Sequence, residues 1–269
     1  MNPRHRLPTR SSATLRAIAS VAFAVIAYSQ FAGAGINAWT TTGPRGGWTF
    51  LAADPLVPDR VFAASNAGLY RSVDGAVHWS AAHGPNTVPP VMAFDSNVPG
   101  RIYAAFGPRL LHRSDDGGAS WSYLSSVQPH EFIYSGSVAN VWRLAVSPHR
   151  NTDIYLSDGA LSYSGDAGAT FTQIFGPSFI YDFVLDPIVP SSIYIADHAD
   201  TVAKSTDNGL TWIPLVTGLP TGLAGIRLAV DPSMPSHMYL VAAPRFQAIG
   251  LQYEFDQYSV YVLLAGTSE

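Results

Sequence analysis

One short turn occurs four times in this chain, and its spacing limits the fold more than any other feature. The copies read SVDGAVHW at 72–79, SDDGGASW at 114–121, SGDAGATF at 164–171 and STDNGLTW at 205–212. Each has Ser, an Asp two residues on, a small residue two further, and an aromatic three beyond that. The small residue is Gly118, Gly168 and Gly209 in three copies and Ala76 in the first. Successive copies start 42, 50 and 41 residues apart. A period of this size belongs to radial or solenoidal repeats.

Each turn sits in a larger unit whose parts recur in one order. In the second copy 91–94 is a short apolar strand, 95–100 a turn, 101–106 a second strand, 110–113 a third, and 121–124, past the Asp turn, a fourth. Four short strands separated by Gly, Pro, Asp and Asn signals form an antiparallel meander. The first strand recurs near 50, 91, 144, 183 and 227, and the second at 60–64, 153–156, 192–196 and 237–242. Asp-Pro after several first strands suits a turn, because Asp accepts from amides two residues on and Pro presets φ. A four-stranded unit cannot bury both faces alone, and radial stacking covers them. The pattern therefore predicts an all-β chain, a β-propeller of four-stranded antiparallel blades, with five blades visible. A β-sandwich has no need of one turn chemistry at each step.

The last unit is less regular. Residues 252–255 read as its third strand and 260–265 as its fourth, with no Asp turn between them. Residues 38–42 also resemble a fourth strand, so pairing of Thr40, Thr41 and Thr42 with the last unit is a second way to close the ring. A chain cut from a larger ring is the competing arrangement.

The N-terminus carries Arg4, Arg6, Arg10 and Arg16, an apolar run at 17–31, and small residues at 32–35. That reads as a secretory leader over 1–38, with an uncleaved anchor as the alternative. Residues 39–269 then form one domain, secreted or periplasmic, or held outside the cytoplasm by the anchor. Without the leader arginines the chain has 11 basic and 19 acidic side chains and a formal charge near -8. This excludes binding to nucleic-acid phosphates, which needs clustered Lys and Arg. The absence of cysteine excludes thiol catalysis and thiolate metal ligands.

The Ser-x-Asp-x-Gly-x-Thr-Trp wording resembles the Asp-box, or bacterial neuraminidase repeat. The resemblance implies a propeller and a structural role for the box, away from the ligand mouth. The box residues are Ser72, Asp74 and Trp79; Ser114, Asp116, Gly118 and Trp121; Ser164, Asp166, Gly168 and Phe171; and Ser205, Asp207, Gly209 and Trp212. Asp accepts from its own turn's amides, the glycine takes a positive φ, and the aromatic packs between blades. Ala76 is then the strained copy. The blade wording at 54–72 is similar to that of xyloglucanase-like hydrolases, which pair two carboxylates across a cleft between two propellers. Sialidases, sortilin-type receptors and Ycf48-like assembly factors share the box. The first use three arginines with a Tyr–Glu pair. Arg45, Arg109 and Arg245 supply the number, but the Arg-Ile-Pro motif is missing.

The mouth should lie at the second-to-third strand turns and the blade-to-blade links. Its candidate carboxylates are Asp158, Asp197, Asp200 and Glu131, a pair of which would serve as acid and base in glycoside hydrolysis. Its candidate binding residues are Arg45, Arg109, Glu131, Tyr134, His198 and Arg245. Glu131 and Tyr134 sit on the longest link, 125–140, and long loops on rigid scaffolds carry function. No cofactor and no metal site is expected, since neither metal-ligand spacing nor a phosphate loop occurs. Two functions are carried forward. One is a monomeric, exported propeller that binds polysaccharide or an envelope protein without catalysis. The other is a glycoside hydrolase of xyloglucanase or, more remotely, sialidase type.

Overall fold

The computed structural model describes residues 48–65, 68–82, 91–106, 110–126, 143–176, 179–198, 201–215, 219, 223–234, 237–244 and 259–264. These form five antiparallel sheets in chain order, each a meander. Sheet 1 holds β1 (Trp48–Ala53), β2 (Val61–Ser65), β3 (Gly68–Ser72) and β4 (Ser80–Ala81). Sheet 2 holds β5 (Val91–Phe94), β6 (Ile102–Phe106), β7 (Leu110–Ser114) and β8 (Ser122–Ser126). Sheet 3 holds β9 (Arg143–Val146), β10 (Ile154–Ser157), β11 (Leu161–Ser164) and β12 (Thr172–Phe175). Sheet 4 holds β13 (Ile180–Leu185), β14 (Ile193–Asp197), β15 (Val202–Ser205) and β16 (Ile213–Pro214). Sheet 5 holds β17 (Leu223–Val230), β18 (His237–Pro244) and β19 (Ser259–Leu264).

The second strand of an inner sheet has neighbours on both faces. Every residue of β6, β10 and β14 is buried, which is why these strands are apolar up to the Ser157 and Asp197 that end β10 and β14. The outer strands β8, β12 and β16 alternate little and stay largely exposed. Four apolar clusters fill the spaces between successive sheets. Phe62 and Ile102 join sheets 1 and 2, and Tyr103 and Leu144 join sheets 2 and 3. Tyr155 and Phe183 join sheets 3 and 4, and Tyr194 and Leu228 join sheets 4 and 5. The core is thus a series of inter-sheet layers rather than one central mass.

Each Ser–Asp turn is closed by its own side chains. In the third, Ser164 Oγ donates to Asp166 Oδ1 at 2.7 Å and accepts the Gly168 amide at 2.8 Å. Asp166 also accepts the Thr170 amide at 2.9 Å and the Thr170 hydroxyl at 2.6 Å. The same set recurs around Ser114, Asp116 and Ser120, and around Ser205, Asp207 and Thr211. In the first turn His78 Nδ1 takes the hydroxyl's place, 2.6 Å from Asp74 Oδ2. These donors stabilise the ionised carboxylates. The Thr170 hydroxyl and amide hold Asp166 at about 2, and the Thr211 pair does the same for Asp207. The His78 amide and ring hold Asp74 at about 2, and the Ser120 hydroxyl depresses Asp116 as well.

Two consecutive residues of every turn have positive φ: Gly75 and Ala76, Gly117 and Gly118, Ala167 and Gly168, Asn208 and Gly209. The first of each pair donates its amide to the turn between the first and second strands. Gly75 meets Asp59 O at 2.9 Å, Gly117 meets Gly100 O at 2.8 Å, Ala167 meets Thr152 O at 2.9 Å and Asn208 meets Ser191 O at 3.0 Å. That second turn is itself built on a carboxylate: Asp54, Asp95, Asp186 and Asp231 each accept the amides two and three residues on. One face of the molecule is therefore made of paired, self-satisfied turns.

Sheet 5 departs from the expected strand order. Residues 259–264 pair directly with β18, Tyr239 opposite Val262, and so form the third strand rather than a fourth. Residues 252–255 and 40–42, the other segments expected there, lie outside the described residues. β13 also starts earlier than expected, at Ile180, because an extra residue, Tyr181, bulges between Ile180 and Asp182.

Candidate functional site

The face opposite the paired turns carries the second-to-third strand turns, and the described residues of those turns belong to sheets 3 and 4. Asp158 follows β10 and Asp197 ends β14, at equivalent positions of adjacent sheets. Both are buried. Asp197 Oδ1 accepts the Thr201 amide at 2.9 Å, and the Asp197 amide donates to Thr201 O at 2.9 Å, so this carboxylate braces its own hairpin. Asp158 and the positive-φ Gly159 form the matching turn in sheet 3, with the Asp158 amide 3.3 Å from Ala160 O. Both turns are clamped to the strand that starts sheet 4. Ile180 donates to Gly159 O at 2.9 Å, and the His198 amide donates to Phe179 O at 2.7 Å.

An aromatic group rises beside these turns. Phe179 and Tyr181 meet edge-on with centroids 5.9 Å apart, and Tyr181 lies tilted against the exposed His198 ring at 5.6 Å. Tyr181 is placed there by its bulge, which leaves Ile180 and Asp182 to pair with Asp197 and Ala196.

Beneath runs an ionic link through three first strands. Arg143, the first residue of β9, donates from Nη1 to Asp182 Oδ1 at 2.6 Å. Asp182 is buried and also accepts the Phe183 amide at Oδ1 and the Leu228 amide at Oδ2, each at 3.0 Å. Its charge is thus met by one guanidinium and two amides, as a buried carboxylate requires. Arg143 remains partly exposed and lies 5.7 Å above the Phe183 ring. Arg227 of β17 donates to Tyr181 O at 3.0 Å. An aromatic shelf beside fixed donors suits a ligand with flat apolar faces and a polar rim.

Of the residues expected at the mouth, Asp158, Asp197 and His198 come together on sheets 3 and 4. Arg45, Arg109, Glu131, Tyr134, Asp200 and Arg245 lie outside the described residues. Arg143, Tyr181 and Asp182 were not expected. The available signals were Arg143 following the longest link, and a carboxylate interrupting the apolar run of β13. Among the described residues no three His, Asp or Glu side chains gather as a metal ion would need.

No family model matches the sequence. A xyloglucanase of Paenibacillus sp. is 28% identical over 208 residues, which cover 66% of this chain and 17% of that protein. An ancestral GH74 enzyme superposes with a TM-score of 0.64 at 18% identity, over 85% of this chain and 31% of that one. The GH74 xyloglucanase from Xanthomonas campestris gives 0.60 at 21% identity, over 82% and 36%. YCF48 bound to D1 peptide gives 0.52 at 14% identity, over 77% and 66%. This chain spans about a sixth of its curated relative and about a third of the GH74 chains. With five consecutive meander sheets packed face to face, these likenesses make the chain a β-propeller.

Proposed function

We propose that this chain is an exported Asp-box propeller of glycoside-hydrolase type, taking a β-glucan such as xyloglucan at the mouth formed by sheets 3 and 4. The likeness to a xyloglucanase is the observation that carries this reading. The mouth adds a chemical reason. Asp158 and Asp197 occupy equivalent turns of adjacent blades, and glycoside hydrolysis needs one carboxyl group to protonate the leaving oxygen while another activates water or attacks. Tyr181 and Phe179 offer ring faces to the C–H faces of a sugar, and Arg143 offers donors to its hydroxyls. Asp200 and Glu131 remain the other candidates for a carboxyl role. The repeated turns take the structural part of Asp boxes in this scheme, and no cofactor enters it.

A second reading, binding without hydrolysis, is favoured by the burial of both carboxylates and by the engagement of Asp197 in its own hairpin. Here the mouth holds polysaccharide, or a protein of the envelope, on the shelf of Phe179, Tyr181 and His198. One experiment separates the two. Xyloglucan oligosaccharides are incubated with the protein and with D158N and D197N, reducing ends are counted, and retardation is measured in gels containing xyloglucan. Hydrolysis that D158N or D197N abolishes, with retardation kept, establishes the hydrolase. Retardation without new reducing ends establishes the binder. Neither signal on xyloglucan or on a panel of other β-glucans removes the hydrolase reading and β-glucan binding, and leaves a protein as the ligand.

A further inference from the structure

The inter-blade interface is built from the same two register positions each time. The first is an aromatic residue in the second strand: Phe62, Tyr103, Tyr155, Tyr194 and Tyr239, each paired across to the first strand at Ala52, Ala93, Ala145, Val184 and Ala229. In sheets 1 to 4 this ring packs towards the following sheet and is 0, 0, 1 and 5% exposed. The second position lies three residues before the turn that ends the first strand: Leu51, Met92, Leu144, Phe183 and Leu228. In sheets 2 to 5 it packs towards the preceding sheet. Leu144, Phe183 and Leu228 are 7, 0 and 6% exposed, and Met92 packs against the cluster shared with sheet 1.

The two ends of the series break this rule in complementary ways. Leu51 of sheet 1 is 73% exposed, and Tyr239 of sheet 5 is 38% exposed. Around them Ala53, Arg227 and Ala229 are exposed too. Within one chain, then, the leading face of sheet 1 and the trailing face of sheet 5 do not cover each other. Each is half of an interface that the molecule completes four times elsewhere. The Ser–Asp turns carry a second mark of the same end. A Cβ on Gly168 would come within 2.8 Å of Leu124 and 2.9 Å of Leu111, both from sheet 2. A Cβ on Gly209 would come within 2.6 Å of Ile174 from sheet 3, and one on Gly118 would overlap Phe62 of sheet 1. Glycine is required wherever a preceding sheet presses on the turn. Ala76 keeps its Cβ, at φ 70, in the one sheet that no other described sheet precedes.

We infer that these two faces dock on each other between copies, Tyr239 of one chain seating against Leu51 of a second. The contact continues an interface already made four times, and one chain supplies both of its halves. It is heterologous, head to tail, so it either closes a ring of chains or extends into a filament. It would also remove an exposed apolar sheet face, which soluble monomers rarely keep.

The test uses the whole chain in a sedimentation experiment over a range of concentrations. The unaltered protein should sediment as two or more chains, with mass rising with concentration. L51D and Y239D should each run as single chains, because each lacks one half. Mixed in equal amounts they should form a two-chain species that grows no further, since one intact half remains on each. That pairing also shows that both variants fold. The chain has no cysteine, so L51C with Y239C should, on oxidation, link different chains. A single-chain mass for the unaltered protein at every concentration, no pairing in the mixture, or a cross-link formed within one chain would each overturn the inference.

Discussion

Replacing Gly168 by Ala tests the account of the turns most directly. Its φ is 90, and the backbone cannot rotate away from that value. Its amide is held by Ser164 Oγ at 2.8 Å, and its carbonyl accepts from Ser125 Oγ of the neighbouring sheet at 2.6 Å. A left-handed alanine costs about 1–2 kcal/mol. The new methyl meets Leu124 at 2.8 Å, Leu111 at 2.9 Å and Ile154 at 3.3 Å, all parts of one packed layer. Overpacking of that kind costs about 1–3 kcal/mol. The sum is about 2–5 kcal/mol, or a fall in Tm of about 4–20 °C for a domain of this size. The reciprocal change, Ala76→Gly, relieves about 1–2 kcal/mol of conformational strain. It returns about 0.4–1 kcal/mol through the freer unfolded chain, so the net effect lies between zero and a small gain. Urea unfolding followed by tryptophan fluorescence reads both. A G168A variant within about 0.5 kcal/mol of the parent, or an A76G variant clearly less stable than it, would refute the reasoning.

The carboxylates of the turns set an acid limit. Asp74, Asp166 and Asp207 are lowered from 3.8 to about 2 by folding, so their contribution is complete above 3.8 and is lost as pH falls through about 2. Urea midpoints should be flat near neutrality and drop steeply in that acid window, and D166N should soften the drop while lowering the plateau. Asp182→Ala should cost more than Arg143→Met, because it leaves the Phe183 and Leu228 amides unsatisfied as well as the guanidinium. About 3–5 kcal/mol is expected for the former, and equal losses in a denaturant titration would contradict this. Trp212→Phe removes an indole N–H that reaches Ile174 O of sheet 3 at 3.2 Å and Gly209 O at 3.1 Å. Its cost, about 0.5–1.5 kcal/mol by calorimetry, should exceed that of Phe171→Leu only if that bridge matters.

Much of the fold was legible because its causes are local. Ser164, Asp166, Gly168 and Thr170 satisfy one another within seven residues, so their spacing alone announces the turn. The alternation of short apolar runs with Asp, Pro and Gly locates most strands to within a residue or two, except at the first strands of sheets 4 and 5, β13 and β17, which start about three residues early and carry register shifts that no pattern marks. The last sheet was misread for a related reason: without a Ser–Asp turn, nothing in the sequence says whether 259–264 is a third strand or a fourth.

The mouth followed other rules. Asp158, Asp197 and His198 lie in the turns where the sequence placed them, because hairpin turns are legible locally. Arg143 and Asp182 are 39 residues apart, and Leu228 is 46 beyond Asp182. Their link forms only because three first strands converge, and a single sequence holds no record of which strand tops face one another. The same holds for Leu51 and Leu144, which occupy identical register positions with similar neighbours in sequence. Only the stacking of sheets decides that one is covered and the other is left open. The sequence by itself determined the repeat, its turns and the sheets, since those depend on hydrogen bonds and periodicity within a blade. The tertiary structure decided which polar groups meet at the mouth and which faces stay bare, because both depend on contacts between blades dozens of residues apart.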